Sequence, residues 1–136
     1  YALNDSPVGL AAWIVEKFRK WCDCDADPEK IFTKDELLTT VMIYWVTATA
    51  HSSARLYYEF EHSLRAGKLD FVTRPMQPVG YTRYPRETMR TSRRWAEAQY
   101  ATLNHFAAMP RGGHFAAMEV PDLFVPDLRE CFRKVR

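Results

Sequence analysis

The sequence has few cysteines and glycines, and it has no apolar run long enough to cross a membrane. Its 136 residues include 3 cysteines and 5 glycines. Cys22, Cys24 and Cys131 are odd in number and contain no Cys-x-x-Cys pair, so neither a disulfide framework nor a zinc site is indicated. No uninterrupted apolar stretch reaches the roughly 18 residues of a membrane helix, and no signal peptide pattern opens the chain. We therefore expect a reducing, cytoplasmic environment. A membrane anchor in a segment that precedes this chain is left open.

The composition is that of a folded domain. Hydrophobic residues make up 47% of the chain, charged residues 26% and aromatic residues 14%, which excludes a disordered or low-complexity chain. The net charge of +2 is too small to indicate a nucleic-acid partner. The arginines and aromatics between Tyr81 and Trp95 are typical of a solvated face with ion pairs. The chain opens on Tyr1 rather than methionine, and we expect it to be part of a longer protein.

Helical signals fill the first half. Ser6 followed by Pro7 is a helix start, with a hydroxyl N-cap and proline at the first helical position. The run 22–28 ends that helix. Its aspartates at alternate positions superficially resemble a calcium loop, but the central glycine and the terminal glutamate are missing, so a solvated linker is favoured. The aspartates are Asp23, Asp25 and Asp27.

A second helical segment begins at a capping box. In Thr33-Lys-Asp-Glu36, Thr33 caps the backbone and Glu36 reaches back. The apolar pattern then predicts helix from Leu37 to about Glu61, with a break near residues 50–52. Helices this rich in tryptophan and tyrosine need a partner surface to cover them.

The pattern changes after the Arg65-Ala-Gly67 boundary, where strands and helices alternate. This alternation predicts a parallel sheet, although two strands alone cannot form a stable one. The second half therefore resembles the end of a doubly wound α/β domain. The predicted elements are a strand at 75–84, a helix at 91–99 with Trp95 on its inner face, a strand at 101–109, a tight loop at 110–114 and a closing helix at 121–134.

Two polar side chains follow the predicted strands. Glu87 comes just after the first, and His114 lies in the glycine loop after the second. Because the carboxyl ends of parallel strands share one sheet edge, we expect the carboxylate to orient the imidazole and leave its other nitrogen free as a base. Alone, His114 could be an ordinary loop histidine, and Glu87 a surface partner of Arg86 or Arg90.

The chain resembles the C-terminal part of the microsomal-type epoxide hydrolases, which have an α/β-hydrolase fold with a helical cap. The order acid then base matches the last two members of an α/β-hydrolase triad. The resemblance covers nearly all of the chain, and the Pro-Arg-Gly-Gly-His-Phe-Ala-Ala segment at 110–117 is its most specific motif. The other segments that carry it lie at 2–12, 32–39, 43–47 and 52–59.

This resemblance implies roles for individual residues. His114 matches the catalytic base, Glu87 the charge-relay acid and Tyr57 a cap tyrosine that hydrogen-bonds the epoxide oxygen, whereas the neighbouring Tyr58 is expected to pack. Residues 1–65 would be part of the helical cap, and residues 66–136 the last two strands and helices of the core. The implied reaction opens an epoxide to a vicinal diol through an alkyl-enzyme ester, without metal or organic cofactor.

The partners implied are a small epoxide and the preceding part of the same protein, with neither nucleic acid nor a membrane segment in this chain. Homo-oligomerisation is left open. The nucleophilic aspartate of the family is expected upstream of Tyr1, and none of the acids here, including Asp5 and those between 23 and 27, is assigned that role. We therefore expect these 136 residues alone to lack epoxide-opening activity.

Two other functions stay open. Another α/β hydrolase, such as an esterase or a dehalogenase, would share the late histidine, although it would not need Tyr57 above the leaving oxygen. The chain could also be a non-catalytic interaction module, because the nucleophile is absent from it.

Overall fold

The computed structural model describes residues 2–69 and 74–135, so residue 1, residues 70–73 and residue 136 of the predicted domains lie outside the described part. Helices occupy the first half, and strands alternate with helices in the second. The elements are α1 (Ala2–Asp5), α2 (Pro7–Trp21), a 3-10 turn (Pro28–Lys30), α3 (Lys34–Val46), α4 (Ala50–Arg65), β1 (Val79–Arg83), α5 (Arg93–Gln99), β2 (Leu103–Ala108), α6 (Ala116–Glu119) and α7 (Pro121–Arg133).

Side-chain caps fix where the long helices begin. The Ser6 hydroxyl accepts a hydrogen bond from the Gly9 amide at 3.1 Å, as predicted for the start of α2. At α3, Thr33 Oγ1 accepts from the Glu36 amide at 3.2 Å while the Glu36 carboxylate accepts from the Thr33 amide at 2.8 Å. Each bond satisfies an amide that has no partner within its own helix. Both predicted starts are confirmed.

The break in the second helical segment is present, but it lies earlier than predicted. Helix α3 ends at Val46 and α4 begins at Ala50, whereas the expected break was at residues 50–52. Ala48 lies between them with a φ of 52°, a left-handed conformation that no helix continues through. The Thr47 hydroxyl donates to the Ile43 carbonyl at 2.6 Å, a local bond that competes with the helical pattern.

The core of the helical half lies between α2, the turn after it and α3. One cluster of buried residues comprises Phe18, Cys22, Cys24, Phe32 and Leu37, and a second comprises Leu10, Val41 and Ala50. The outer sides of α3 and α4 expose large apolar side chains, including Ile43 at 58% and Leu56 at 72%. The prediction that a further surface covers these helices stays a prediction.

The two strands pair in parallel, as predicted. Gly80 lies opposite His105 and Arg83 opposite Ala108, with one irregularity between Val79 and Gly80. Helix α5 forms the crossover, which a parallel connection requires. Beyond the strands, a further bridge joins Arg86 to Gly113, so the pairing continues into the two loops that follow β1 and β2.

The prediction that Trp95 lies on the inner face of its helix is wrong. Trp95 is 73% exposed, whereas its neighbour Ala96 is fully buried. The helix begins at Arg93 with Ser92 as its cap, two residues later than predicted. The small side chain of Ala96 lets this short helix approach β2 closely. Because consecutive residues lie about 100° apart around a helix, the Trp95 indole then faces outward.

A buried polar network that the sequence did not predict joins the sheet to α7. His105 is 7% exposed, and its Nε2 donates to Asp127 Oδ1 at 2.7 Å. Thr82 Oγ1 donates to the other oxygen of Asp127 at 2.5 Å, and Lys134 Nζ donates to His105 Nδ1 at 3.1 Å. Buried polar groups stabilise a fold only when they are paired in this way.

We predict that Asp127→Asn lowers the free energy of unfolding by about 1–3 kcal/mol, because the amide leaves one buried donor without an acceptor. Asp122→Asn is the matched control on the same helix. Its partner Arg111 is half exposed, so its loss should cost under about 1 kcal/mol. Urea unfolding of the complete protein measures both, and equal effects would contradict the structural role of the network.

Candidate active site

The loops that follow β1 and β2 lie side by side. The Arg86 amide donates to the Gly112 carbonyl at 3.1 Å, and the Met109 amide donates to the Arg83 carbonyl at 2.9 Å. The chain turns sharply at Gly112, whose φ of 108° favours glycine. Both loops are therefore held at the carboxyl edge of the sheet, where α/β folds place ligands.

Glu87 and His114 form a hydrogen-bonded pair, as the spacing predicted. His114 Nδ1 lies 2.7 Å from Glu87 Oε1. The same carboxylate oxygen accepts from the amide and the hydroxyl of Thr88, at 2.6 and 2.9 Å. The Nδ1–H therefore donates to Glu87, and Nε2 is left as the basic nitrogen. This arrangement can take a proton from water and stabilise the resulting imidazolium.

The surroundings of Glu87 favour its charged form. Burial raises the pKa of this carboxyl, but the His114 hydrogen bond, the two Thr88 bonds and the charge of His114 together outweigh burial, so its pKa lies below the ordinary value of 4.5. The carboxyl therefore stays ionised at neutral pH, which is the state that an acid partner of an imidazole needs.

Aromatic rings flank the imidazole. The Trp21 ring lies 5.0 Å from the His114 ring at 68°, and the Phe115 ring lies 5.1 Å away at 85°, both edge to face. Trp21 is the last residue of α2, and its carbonyl accepts from the His114 amide at 2.9 Å. A Cβ at Gly113 would meet that carbonyl at 2.4 Å. Only glycine therefore allows the loop to lie this close to α2.

Tyr57 lies on a neighbouring cavity and not beside His114. It projects from α4, is 61% exposed, and lines a cavity of about 280 Å³ together with Trp13, Trp21 and Phe115. His114 and Glu87 line a second cavity, which Phe115 also borders. Among the predicted site residues, the structure thus brings Glu87 and His114 into contact and places Tyr57 on a different cavity, which shares Phe115 with theirs.

The neighbouring Tyr58 packs on its own helix. Its ring stacks on His62 at 3.8 Å between centroids, in line with the packing expected of it. The role expected of Tyr57 stays a prediction.

Two acidic residues at the site were missed by the sequence analysis. Asp23, placed in a solvated linker, has a side chain only 26% exposed that accepts from the Gly112 amide at 2.9 Å. The prediction of a solvated residue is wrong for Asp23, because the loop at Gly112, which is 89 positions later in the chain, packs against its side chain. Glu119 is 9% exposed and accepts from the amides of Phe115 and Asp23, both at 2.8 Å. No local pattern marks either residue.

Two structural features are absent from the described residues. No group of three or more histidine, cysteine, aspartate or glutamate side chains there is arranged to hold a metal ion. Within the same residues, no helix has both the length and the apolar composition needed to span a membrane.

Comparisons with known proteins agree on one family. The chain is 50% identical to a protein of Stigmatella aurantiaca named as an epoxide hydrolase, over 100% of this chain and 30% of that protein. It is 41% identical to epoxide hydrolase 1 of Sus scrofa, over 95% of this chain and 30% of that protein. The crystal structure of juvenile hormone epoxide hydrolase from Bombyx mori superposes with a TM-score of 0.84 at 29% identity, over 98% of this chain and 35% of that one. No protein-family model matches. The chain thus spans about 30% of the length of these curated relatives.

We predict a pH-dependent contribution of Glu87 to stability. A carboxyl whose pKa is lowered by folding stabilises the folded state above its unfolded pKa and loses that effect as pH falls through its folded pKa. The Glu87→Gln variant should therefore be less stable than the unmodified protein above pH 4.5, the ordinary pKa of this group, and the difference should shrink as the pH falls below that value. Denaturant unfolding at stepped pH measures the difference, and a difference that fails to shrink below pH 4.5 would contradict the pairing.

Proposed function

The chain belongs to the epoxide hydrolases of the α/β-hydrolase fold and matches their C-terminal portion, and from this we propose that the complete protein hydrolyses a small epoxide to a vicinal diol. The single observation that carries the proposal is the 2.7 Å bond between His114 and Glu87 at the carboxyl ends of two parallel strands. Residues 66–136 contribute this pair from the core, and residues 1–65 contribute part of a helical cap over it.

The reaction divides into two steps. A carboxylate supplied by the rest of the protein attacks an epoxide carbon, the carbon–oxygen bond breaks, and an alkyl-enzyme ester forms. His114 Nε2 then removes a proton from water, whose oxygen attacks the ester carbonyl. The bond between the carbonyl carbon and the alkyl oxygen breaks, and that oxygen takes the proton from the imidazolium and leaves as part of the diol. Glu87 stabilises the imidazolium that exists during the second step. Neither step needs a metal or an organic cofactor.

Tyr57 is proposed to act in the first step. Ring opening places negative charge on the epoxide oxygen, and a phenol hydroxyl can donate to that oxygen as the charge develops. Support comes from its place on the cavity lined by Trp13, Trp21 and Phe115, since aromatic walls exclude water and accept an apolar substituent. The Trp21 and Phe115 rings each contact the His114 ring, and they also contact each other.

The partner expected for the exposed apolar faces is the remainder of the same protein. Leu38, Met42 and Val46 on α3 are each about half exposed or more, and apolar patches of this kind normally lie in an interface. The proposal includes no nucleic-acid partner, and it leaves homo-oligomerisation open.

We predict that His114→Gln, made in the complete protein, blocks ester hydrolysis far more than ester formation, so that the alkyl-enzyme accumulates. Glu87→Gln should slow the same step less, because an amide still orients the ring but does not balance its charge. Rapid-quench mass spectrometry resolves the two steps. His51→Gln, a change on the exposed start of α4, is the control, and turnover of His114→Gln at the control rate would contradict the assignment.

We predict that Tyr57→Phe slows ester formation by about 10²-fold, the effect of removing one donor to a developing oxyanion. The rate of ester hydrolysis and the thermal unfolding midpoint should stay close to those of the unmodified protein, because Tyr57 is 61% exposed in this chain. Tyr58→Phe removes the same group one position away and serves as the control. If the two variants alkylate at equal rates, Tyr57 has a packing role only.

A further inference from the structure

The backbone amides of the His114 loop donate to groups from two segments, the end of α2 with the residues after it, and α6. The Gly112 amide donates to Asp23 Oδ2 at 2.9 Å, the His114 amide to the Trp21 carbonyl at 2.9 Å, and the Phe115 amide to Glu119 Oε1 at 2.8 Å. Two of these three acceptors are carboxylates, which form shorter and stronger hydrogen bonds than neutral groups. The backbone of the base is therefore fixed on both sides of His114.

Glu119 joins this loop to the end of α2. Its Oε1 accepts from Phe115, and its Oε2 accepts from the Asp23 amide at 2.8 Å. The residue is 9% exposed, and a buried carboxylate is costly unless its oxygens are paired. Both oxygens of Glu119 are paired with backbone amides. Glu119 thus bridges two chain segments that are 92 positions apart at residues 23 and 115, and it makes no contact with the imidazole itself.

Asp23 connects the same loop to the segment that carries Glu87. Its carboxylate accepts from Gly112 and pairs with Arg86 Nε at 3.4 Å. Arg86 precedes Glu87 in the chain, and its own amide donates to the Gly112 carbonyl at 3.1 Å. A single carboxylate therefore holds the loop of the base and the loop of the acid in register.

We propose that Asp23 and Glu119 are positioning residues for His114, an inference that rests on the proposed epoxide hydrolysis. Together they form the Asp23–Glu119 clamp, defined by the two carboxylates and the amides of Gly112, Phe115 and Asp23. The clamp also ties α2, which supplies Trp13 and Trp21 to the cavity wall, to the loop of the base. It thereby fixes the position of His114 relative to the wall of that cavity.

The effect of the clamp should fall on one step of the reaction. Ester hydrolysis needs His114 Nε2 within hydrogen-bond reach of a water, and a displacement of about 1 Å can cost roughly 10²-fold in rate. Ester formation does not use His114. A loosened clamp therefore slows hydrolysis of the alkyl-enzyme and leaves its formation nearly unchanged, which general destabilisation would not do.

The test uses the complete protein and three variants. Glu119→Gln places an amide NH2 against a backbone N–H and so removes one of the two bonds. Asp23→Asn removes the charge that pairs with Arg86 but keeps the size of the side chain and one oxygen that can accept from the Gly112 amide. Asp127→Asn is the stability control, because it weakens a buried network elsewhere in the fold. Four quantities are measured: the rates of ester formation and ester hydrolysis by rapid quench, the thermal midpoint, and the proton resonance of His114 Nδ1–H, which its bond to Glu87 shifts downfield.

We expect Glu119→Gln to slow ester hydrolysis by about 10-fold or more, with ester formation within about twofold, and to broaden or shift the Nδ1 resonance. Asp23→Asn should show the same pattern more weakly, and Asp127→Asn should lower only the thermal midpoint. The proposal is overturned if Glu119→Gln and Asp23→Asn lower only the midpoint and keep both rates and the resonance. Should Glu119→Gln fail to fold, Asp23→Asn alone decides between these outcomes.

The resonance also separates this inference from the proposed function. If the unmodified protein forms no alkyl-enzyme, the proposed function fails, yet loss of the Nδ1 resonance in Glu119→Gln would still support the clamp. If the unmodified protein hydrolyses epoxides and the variants match it in both rates and in the resonance, the proposed function stands and the clamp is refuted.

Discussion

Parallel pairing of β1 with β2 is the constraint on which the rest of the site depends. Because both strands run in the same direction, the loops that follow them leave the sheet at one edge, and residues 27 positions apart meet there. The bridge between Arg86 and Gly113 extends this pairing into the loops. An antiparallel arrangement of the same strands would place Glu87 and His114 at opposite ends of the sheet.

The helical and the α/β halves are joined at the site itself. Helix α2 ends at Trp21, whose carbonyl and ring both contact His114, and the next residues supply Asp23 to the Gly112 amide. Trp21 in the wall of the aromatic cavity and His114 are therefore parts of one hydrogen-bonded unit. Helix α4 ends at Arg65, and the contacts that hold His114 join residues on both sides of that position.

Local signals in the sequence were sufficient for the parts of the fold that local interactions determine. Ser6 and Thr33 were predicted as caps because a cap involves only neighbouring amides, and the pairing of Glu87 with His114 followed from strand direction alone. Trp95 was misplaced, since which side of a short helix is buried depends on the sheet it packs against. Asp23, Glu119 and the His105–Asp127 pair act between segments far apart in sequence, and no spacing pattern reveals such contacts. The role of Tyr57 stays a prediction.

The origin of the oxygen in the product tests the central claim most directly. In the proposed reaction, water activated by His114 attacks an ester carbonyl, so a single turnover with excess enzyme in ¹⁸O-labelled water should leave the label in a carboxylate of the protein and none in the diol. Mass spectrometry of the peptides and of the product distinguishes the two fates. Label in the diol after a single turnover would show that water attacks the epoxide directly, and it would contradict the account.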